Sequence, residues 1–172
     1  MNPKVNTISQ IDVIEGKVDG DFNKIRKLLL NNNLQWSFDP LSTRYEDSYC
    51  PHSPIIDDLL DKIVDDFYNV TGQRVSVINY WGHVHEKNMS TQPHDHGNCY
   101  ASGVVYISAP KGSGSIVFRP NIDRLNKDAF LTSFPPERGK YYIFPSYLEH
   151  FVTRNASKEM RVSLSFNFIK KE

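Results

Sequence analysis

The sequence predicts a mainly β protein, an antiparallel sandwich or barrel with helices laid over one face. Three observations carry that prediction. After Gly72 the chain breaks into short apolar and aromatic runs with Gly, Pro, Asn or Asp between most of them, the pattern of an antiparallel all-β unit. Before Gly72 the apolar residues recur at helical spacing, so helices precede the strands and cover one sheet face. Near the end, Arg161, Ser163, Ser165 and Asn167 alternate strictly with Val162, Leu164, Phe166 and Phe168, as the two faces of a half-buried strand do.

Taken in order, residues 5–14 alternate loosely and read as an edge strand. Residues 21–30, DFNKIRKLLL, put Phe22, Ile25, Leu28 and Leu29 at helical spacing and end in three asparagines. The next helix starts at Ser53, a capping residue, with Pro54 in the first turn, where its missing N–H is no loss. Ile56, Leu59, Leu60, Ile63 and Phe67 form its stripe, Asp57, Asp61, Lys62 and Asp65 lie mostly off it, and Thr71-Gly72 ends it. Strands follow at 75–81, 102–108, 115–120, 140–145, 150–154 and 161–169. KGSGS at 111–115 and residues 121–139 read as loops, the second long enough to cover a site and hold a substrate. The length of 172 residues fits a single domain over 1–172, with 1–72 a flanking strand and helices and 73–170 the β core.

Composition narrows the function classes. Lys plus Arg and Asp plus Glu balance at 20 each, so no net field draws the chain to nucleic acid or an anionic membrane. No apolar run is long enough for a membrane span, and the first residues show no signal-peptide core. Cys50 and Cys99 cannot build a disulfide framework, and free thiols in a reducing cytoplasm are the simpler expectation. Aromatic residues, 12% of the chain and concentrated in its second half, suit a strand-rich core.

The stretch QPHDHGNCY carries the candidate chemistry. His94 and His96 stand two apart. On a strand they would share a face, with Cα atoms roughly 6.5–7 Å apart, and both could reach one metal ion at about 2.0–2.2 Å. Imidazole suits iron, copper, nickel and zinc alike. His150, at the mouth of a later strand, is a candidate third ligand. His83 and His85 form a second pair of equal spacing, so the residues alone leave the ligand set open. His52 sits in a Pro-flanked loop and reads as surface, Glu86 and Glu149 as solvated charges, and Asp95 as pointing away from a site shared by its neighbours. The polar face of the last strand either is wet or lines a cavity, and composition favours the first.

The order of these parts adds more. An H-x-H, a strand, a distal His, then Arg161 eleven residues later and Ser163 two beyond resembles the Fe(II)- and 2-oxoglutarate-dependent oxygenases. More narrowly, residues 79–167 resemble a small bacterial and phage branch of them, through Trp81, His94-Asp95-His96, SGVVYIS, FPSYLEH and RVSLSFN. The resemblance implies a double-stranded β-helix, or jelly-roll, core. It implies Fe(II) bound by His94, His96 and His150, where most of the superfamily uses two histidines and a carboxylate. Three neutral imidazoles leave the ion its full 2+ charge, so an anionic cosubstrate becomes its natural partner. It further implies Arg161 and Ser163 on the far carboxylate of 2-oxoglutarate, dioxygen as co-reactant, and Tyr106 and Asn167 as further candidates for the cosubstrate pocket. Decarboxylation to succinate would then drive hydroxylation of a small-molecule or peptidyl substrate. His83 and His85 fall in the preceding strand, at the cavity entrance. Two rivals stand beside this reading. One is a three-histidine cupin-type dioxygenase without 2-oxoglutarate, for which the expected Glu is missing between Gly97 and Ser108. The other is a non-catalytic jelly-roll module with packed histidines. The expected location is the cytoplasm, including that of a phage host.

Overall fold

The computed structural model describes residues 11–31, 53–120 and 131–171. Its elements are β1 (Ile14–Lys17), α1 (Phe22–Asn31), α2 (Pro54–Thr71), β2 (Val75–His85), β3 (Thr91–His94), β4 (Ala101–Ser108), β5 (Ile116–Phe118), β6 (Thr132–Phe134), β7 (Lys140–Pro145), β8 (His150–Val152) and β9 (Arg161–Lys170). The strands pair antiparallel into a five-stranded sheet of order β1-β7-β4-β9-β2 and a four-stranded sheet of order β3-β8-β5-β6. The strand order steps back and forth between non-consecutive strands, which makes the core a jelly roll flanked by helices, as the sequence predicts.

Each sheet face has its own reason to exist. The outer face of the larger sheet carries Val105, Ile107, Tyr141, Ile143, Val162, Leu164, Phe166 and Phe168. These pack with Phe22, Ile25 and Leu29 of α1 and the Ile56, Leu59, Leu60, Ile63 and Phe67 stripe of α2 in one core. The opposite face turns Val104, Tyr106, Tyr142 and Phe144 toward Ile116 and Phe118 of the smaller sheet, a second core between the sheets. Period-2 alternation in the strands thus separates two hydrophobic layers. The α2 helix stops where the sequence places its stop, with Gly72 left-handed at φ 68° and its N–H donating to the Tyr68 carbonyl at 2.8 Å.

Four expectations need correction. Among the described residues the first strand begins at Ile14 and runs to Lys17, so residues 11–13 of the expected strand are not in it; it is an edge strand, on β7. Residues 5–10, His52 and Cys50 lie outside the described residues. Ser53 occupies the N-cap position of α2, but its side chain makes no capping bond. The second strand runs on through the WGHVH stretch to His85, because its whole length pairs with β9, broken by a bulge between Val77 and Asn79. Within the stretch read as loop, residues 132–134 form β6 against β5, and residues 121–130 are not described.

Candidate active site

The candidate metal centre is assembled by strand register and a turn. His94, the last residue of β3, is the direct cross-strand partner of His150, the first of β8, and their ring centroids are 4.4 Å apart. His96 lies beyond the strand, so shared strand-face geometry is not what brings it in. A turn does so instead. The Asp95 carboxylate accepts the Gly97 N–H at 3.0 Å, and the His96 N–H donates to the Ser146 carbonyl at 2.8 Å. The His96 ring then stacks on His150 at 5.2 Å and sits 5.1 Å from His94. One nitrogen from each ring lies within 4.8 Å of the other two. Exposed Asp95 is committed to the turn and is not part of the group.

The donor chemistry fits a divalent transition metal. His94 Nδ1 bonds the Gln92 carbonyl at 2.8 Å and His150 Nδ1 bonds the Leu148 carbonyl at 2.9 Å. A carbonyl can only accept, so each Nδ1 carries the hydrogen and each Nε2 is the ring nitrogen with a lone pair for a metal, the usual arrangement of a metal-binding imidazole. Burial holds His94 below its ordinary pKa, brings His96 down to about 4, and with the neighbouring imidazoles brings His150 down to about 3. All three are therefore neutral at pH 7, the form that ligates.

The same cavity continues inward along the larger sheet. Arg161 and Ser163 of β9 line it together with Trp81, His83 and His85 of β2 and Tyr106 of β4. Register explains the grouping. Across β2 and β9, His85 faces Arg161, His83 faces Ser163 and Trp81 faces Ser165, while Tyr106 faces Ser163 from the other side. The cleft measures about 470 Å³ with its open mouth included. Arg161, 1% exposed, is steadied by the KGSGS loop, whose Ser113 and Gly114 carbonyls accept from Nη1 at 3.1 and 3.5 Å. Gly114 is required there. Its φ is 87°, and a Cβ would come within 2.2 Å of the Thr153 carbonyl oxygen.

The guanidinium sets the field at this inner end. Burial first, then the Arg161 charge, lowers His85 to about 2 and His83 to about 3. Burial raises the Tyr106 phenol despite the opposing pull of Arg161. The Trp81 indole N–H donates to His83 Nε2 at 2.7 Å, which places the His83 hydrogen on Nδ1.

Most of the residues singled out from sequence thus meet in one cavity. The polar face of the last strand is not wet: Arg161, Ser163 and Asn167 are buried. Asn167 lies outside the cavity lining, because its amide is used elsewhere. It accepts from the Ser102 hydroxyl at 2.7 Å and donates to Asn79 at 2.9 Å. His83 and His85 are interior residues rather than entrance residues, with His85 6% exposed beside Arg161. Trp81, Thr91 and Ser165 also line the cavity but were not assigned a role from sequence. The β2–β9 register places Trp81 and Ser165, with a bulge in β2 hiding it, and the β3–β8 pairing places Thr91 opposite Val152.

The comparisons with known proteins agree with this geometry. A search of curated proteins gives no significant match. Among solved structures, the chain is similar to the non-heme alpha ketoglutarate dependent epimerase SnoN from nogalamycin biosynthesis, at 16% identity and TM-score 0.57, covering 68% of this chain and 57% of that one. It is similar to an oxidoreductase of the 2OG-Fe(II) oxygenase family from Burkholderia pseudomallei, at 14% identity and TM-score 0.57, covering 70% and 60%. The chain thus spans less than two thirds of either protein. The viral collagen prolyl hydroxylase of Paramecium Bursaria Chlorella virus-1, solved with 2OG, matches at 14% identity and TM-score 0.62, covering 92% of this chain and 96% of that one. At these identities the structures speak for the fold. The sequence itself matches the 2OG-Fe(II) oxygenase family model over residues 79–167, a stretch that takes in Trp81, all three clustered histidines and Arg161, and that match makes the chain a member of the 2OG-Fe(II) oxygenase family.

Proposed function

We propose that the protein is a hydroxylase that couples oxidative decarboxylation of 2-oxoglutarate to succinate with hydroxylation of a substrate. The single observation that carries this reading is the convergence, inside one cavity, of three metal-competent imidazoles and one buried guanidinium. His94, His96 and His150 hold Fe(II) in this proposal. When bound, the ion supplies the redox chemistry with dioxygen, and open positions on it accept the cosubstrate. Arg161 clamps the far carboxylate through parallel N–H···O bonds, and the Ser163 hydroxyl adds a donor on the same strand face. Ser113 and Gly114 hold the guanidinium, so its orientation precedes binding. Tyr106 closes the opposite wall and helps keep water out. Asn167 positions β4 against β9 rather than touching the cosubstrate.

The cupin reading has no use for a buried arginine lining the same cavity as the histidines, and the packed-histidine reading has no use for three imidazoles with a nitrogen of each within 4.8 Å of the others. In this proposal residues 1–172 act as a single domain, with 1–72 flanking and 73–170 forming the core. Its place is the cytoplasm. Its substrate is small or peptidyl rather than nucleic acid, and proline-containing peptides are the first to try, because the likeness to the viral collagen prolyl hydroxylase runs nearly end to end. Anaerobic addition of Fe(II) and 2-oxoglutarate should give the visible charge-transfer band of the chelate, and the His150→Ala variant should lose it. A wild-type protein that binds iron stoichiometrically and shows no band overturns the proposal. Succinate release in a peptide and metabolite screen then identifies the substrate.

A further inference from the structure

One buried polar group in the cavity has no task in the chemistry above. His85 is 6% exposed and lines the cavity. Its Nε2 is 2.8 Å from the Thr91 hydroxyl oxygen. Its Nδ1 is buried and has no hydrogen-bond partner in the protein. A buried ring nitrogen left unsatisfied costs stability, so such an atom in a ligand cavity points to a ligand atom. Its place tells which one. His85 is the direct cross-strand partner of Arg161, so the ring stands beside the guanidinium and not beside the three clustered histidines.

We propose that His85 is a second recognition residue for the anionic end of the cosubstrate, donating Nδ1–H to the carboxylate that Arg161 holds. This rests on the 2-oxoglutarate reading given above and assigns a residue within it. The hydrogen pattern is consistent. The Thr91 hydroxyl can donate to Nε2, and in that tautomer the hydrogen sits on Nδ1. The imidazole stays neutral, so it adds a directional donor without adding charge. The backbone is fixed as well. Asn155, fully buried, donates from Nδ2 to the His85 carbonyl at 2.8 Å and to the Glu159 carbonyl at 2.9 Å, which joins the end of β2 to the turn before Arg161. Thr91 in turn belongs to the smaller sheet, so the ring is held from both sheets. A purely structural role would be a tie between the sheets, with no effect on which 2-oxoacid binds.

The test is binding, not turnover. Dissociation constants for 2-oxoglutarate and for 2-oxobutyrate, which lacks the far carboxylate, are measured anaerobically by calorimetry on Mn(II)-loaded wild type, His85→Phe, His85→Asn and His85→Gln. A lost hydrogen bond to a charged group predicts roughly 10- to 100-fold weaker 2-oxoglutarate binding in His85→Phe, with 2-oxobutyrate and Mn(II) affinities unchanged. Asn places an N–H near the Nδ1 position and restores most of the loss. Gln places one near Nε2 and does not. If His85→Phe does not fold, the Asn-against-Gln difference reads the same quantity. Equal 2-oxoglutarate affinity in all folded variants, or equal weakening of both oxoacids, overturns the assignment of His85 alone. Wild-type protein that binds Mn(II) but no 2-oxoglutarate overturns this inference and the proposed function together.

Discussion

The two faces of the larger sheet are built from the same strands and serve opposite ends. The outer face presents Val162, Leu164, Phe166 and Phe168 to the helices, each at 0% exposure. One residue out of phase, the inner face presents Arg161, Ser163, Ser165 and Asn167. The outer face is held by area and close packing, where many small terms add. The inner face buries polar groups, each of which needs a partner. Some find theirs in the protein, as Asn167 does in Ser102 and Asn79. Others, such as His85 Nδ1, do not. Stability and function are therefore separable along a single strand.

The largest expected effect comes from the outer face. Leu164→Ala should cost about 2–5 kcal/mol of folding stability, the usual range for a large-to-small change in a packed core. The cost should appear in the urea midpoint. Metal binding at the folded protein should be nearly unchanged. A variant that keeps its stability and loses metal would break the separation of the two faces.

Arg161→Met is the converse. It keeps most of the side-chain volume and removes the charge, so 2-oxoglutarate affinity should fall about 100-fold or more, as expected when charge-assisted bonds to a carboxylate are lost. Mn(II) affinity measured without cosubstrate should stay within about threefold, because three other side chains hold the ion. Parallel loss of metal and cosubstrate would mean that the two ends of the cavity are not distinct.

A difference in pH response sharpens the comparison further. His85 has a folded-state pKa of about 2, against an ordinary value near 6.5. Its neutral form is the folded form. The stability it contributes is fully present above about pH 6.5. As pH falls toward 2, the unfolded chain takes up a proton that the folded chain refuses, and that stability is lost. The slope is about 1.4 kcal/mol per pH unit for one such group. Urea unfolding of metal-free protein between pH 7 and 5 should therefore show a shallower decline in His85→Phe than in wild type. Equal slopes would show that His85 takes up its proton without unfolding. The buried outer-face side chains of β9, Val162, Leu164, Phe166 and Phe168, carry no titratable group, and Leu164→Ala should lower the whole curve without changing its slope.

The same contrast explains what could be read from the sequence. The α2 stripe and the outer face of β9 were legible because periodicity and burial are local properties. Strand spacing gave the antiparallel sandwich-or-barrel class, and the resemblance to the oxygenases narrowed it to a jelly roll. The inner face was only half legible, since a wet face and a cavity face give identical alternation. Its meaning depends on which strands lie alongside. The β2–β9 register decides that, and a bulge between Val77 and Asn79 shifts it by one residue. His83 and His85, placed at the entrance by the resemblance, lie within because that register sets them opposite Ser163 and Arg161. The β3 strand, TQPH, was illegible as a strand because a Pro and two polar residues mask it. That also hid the turn which, rather than a shared strand face, delivers His96.

The smallest expected effect concerns Asp95, between two histidines where a carboxylate could compete for the ion. Its oxygen already accepts the Gly97 N–H, and Gly97 stands at φ 29°, so the carboxylate is part of the turn that aims His96. An Asn oxygen can make the same turn. Asp95→Asn should therefore leave iron stoichiometry at one and shift stability by less than about 0.5 kcal/mol. Asp95→Ala removes the turn bond, at about 1 kcal/mol, and should weaken metal binding through a misplaced His96. If Asp95 were itself a ligand, Asn and Ala would reduce iron content alike. The difference between the two substitutions thus separates a residue that binds the ion from one that only shapes the backbone beside it.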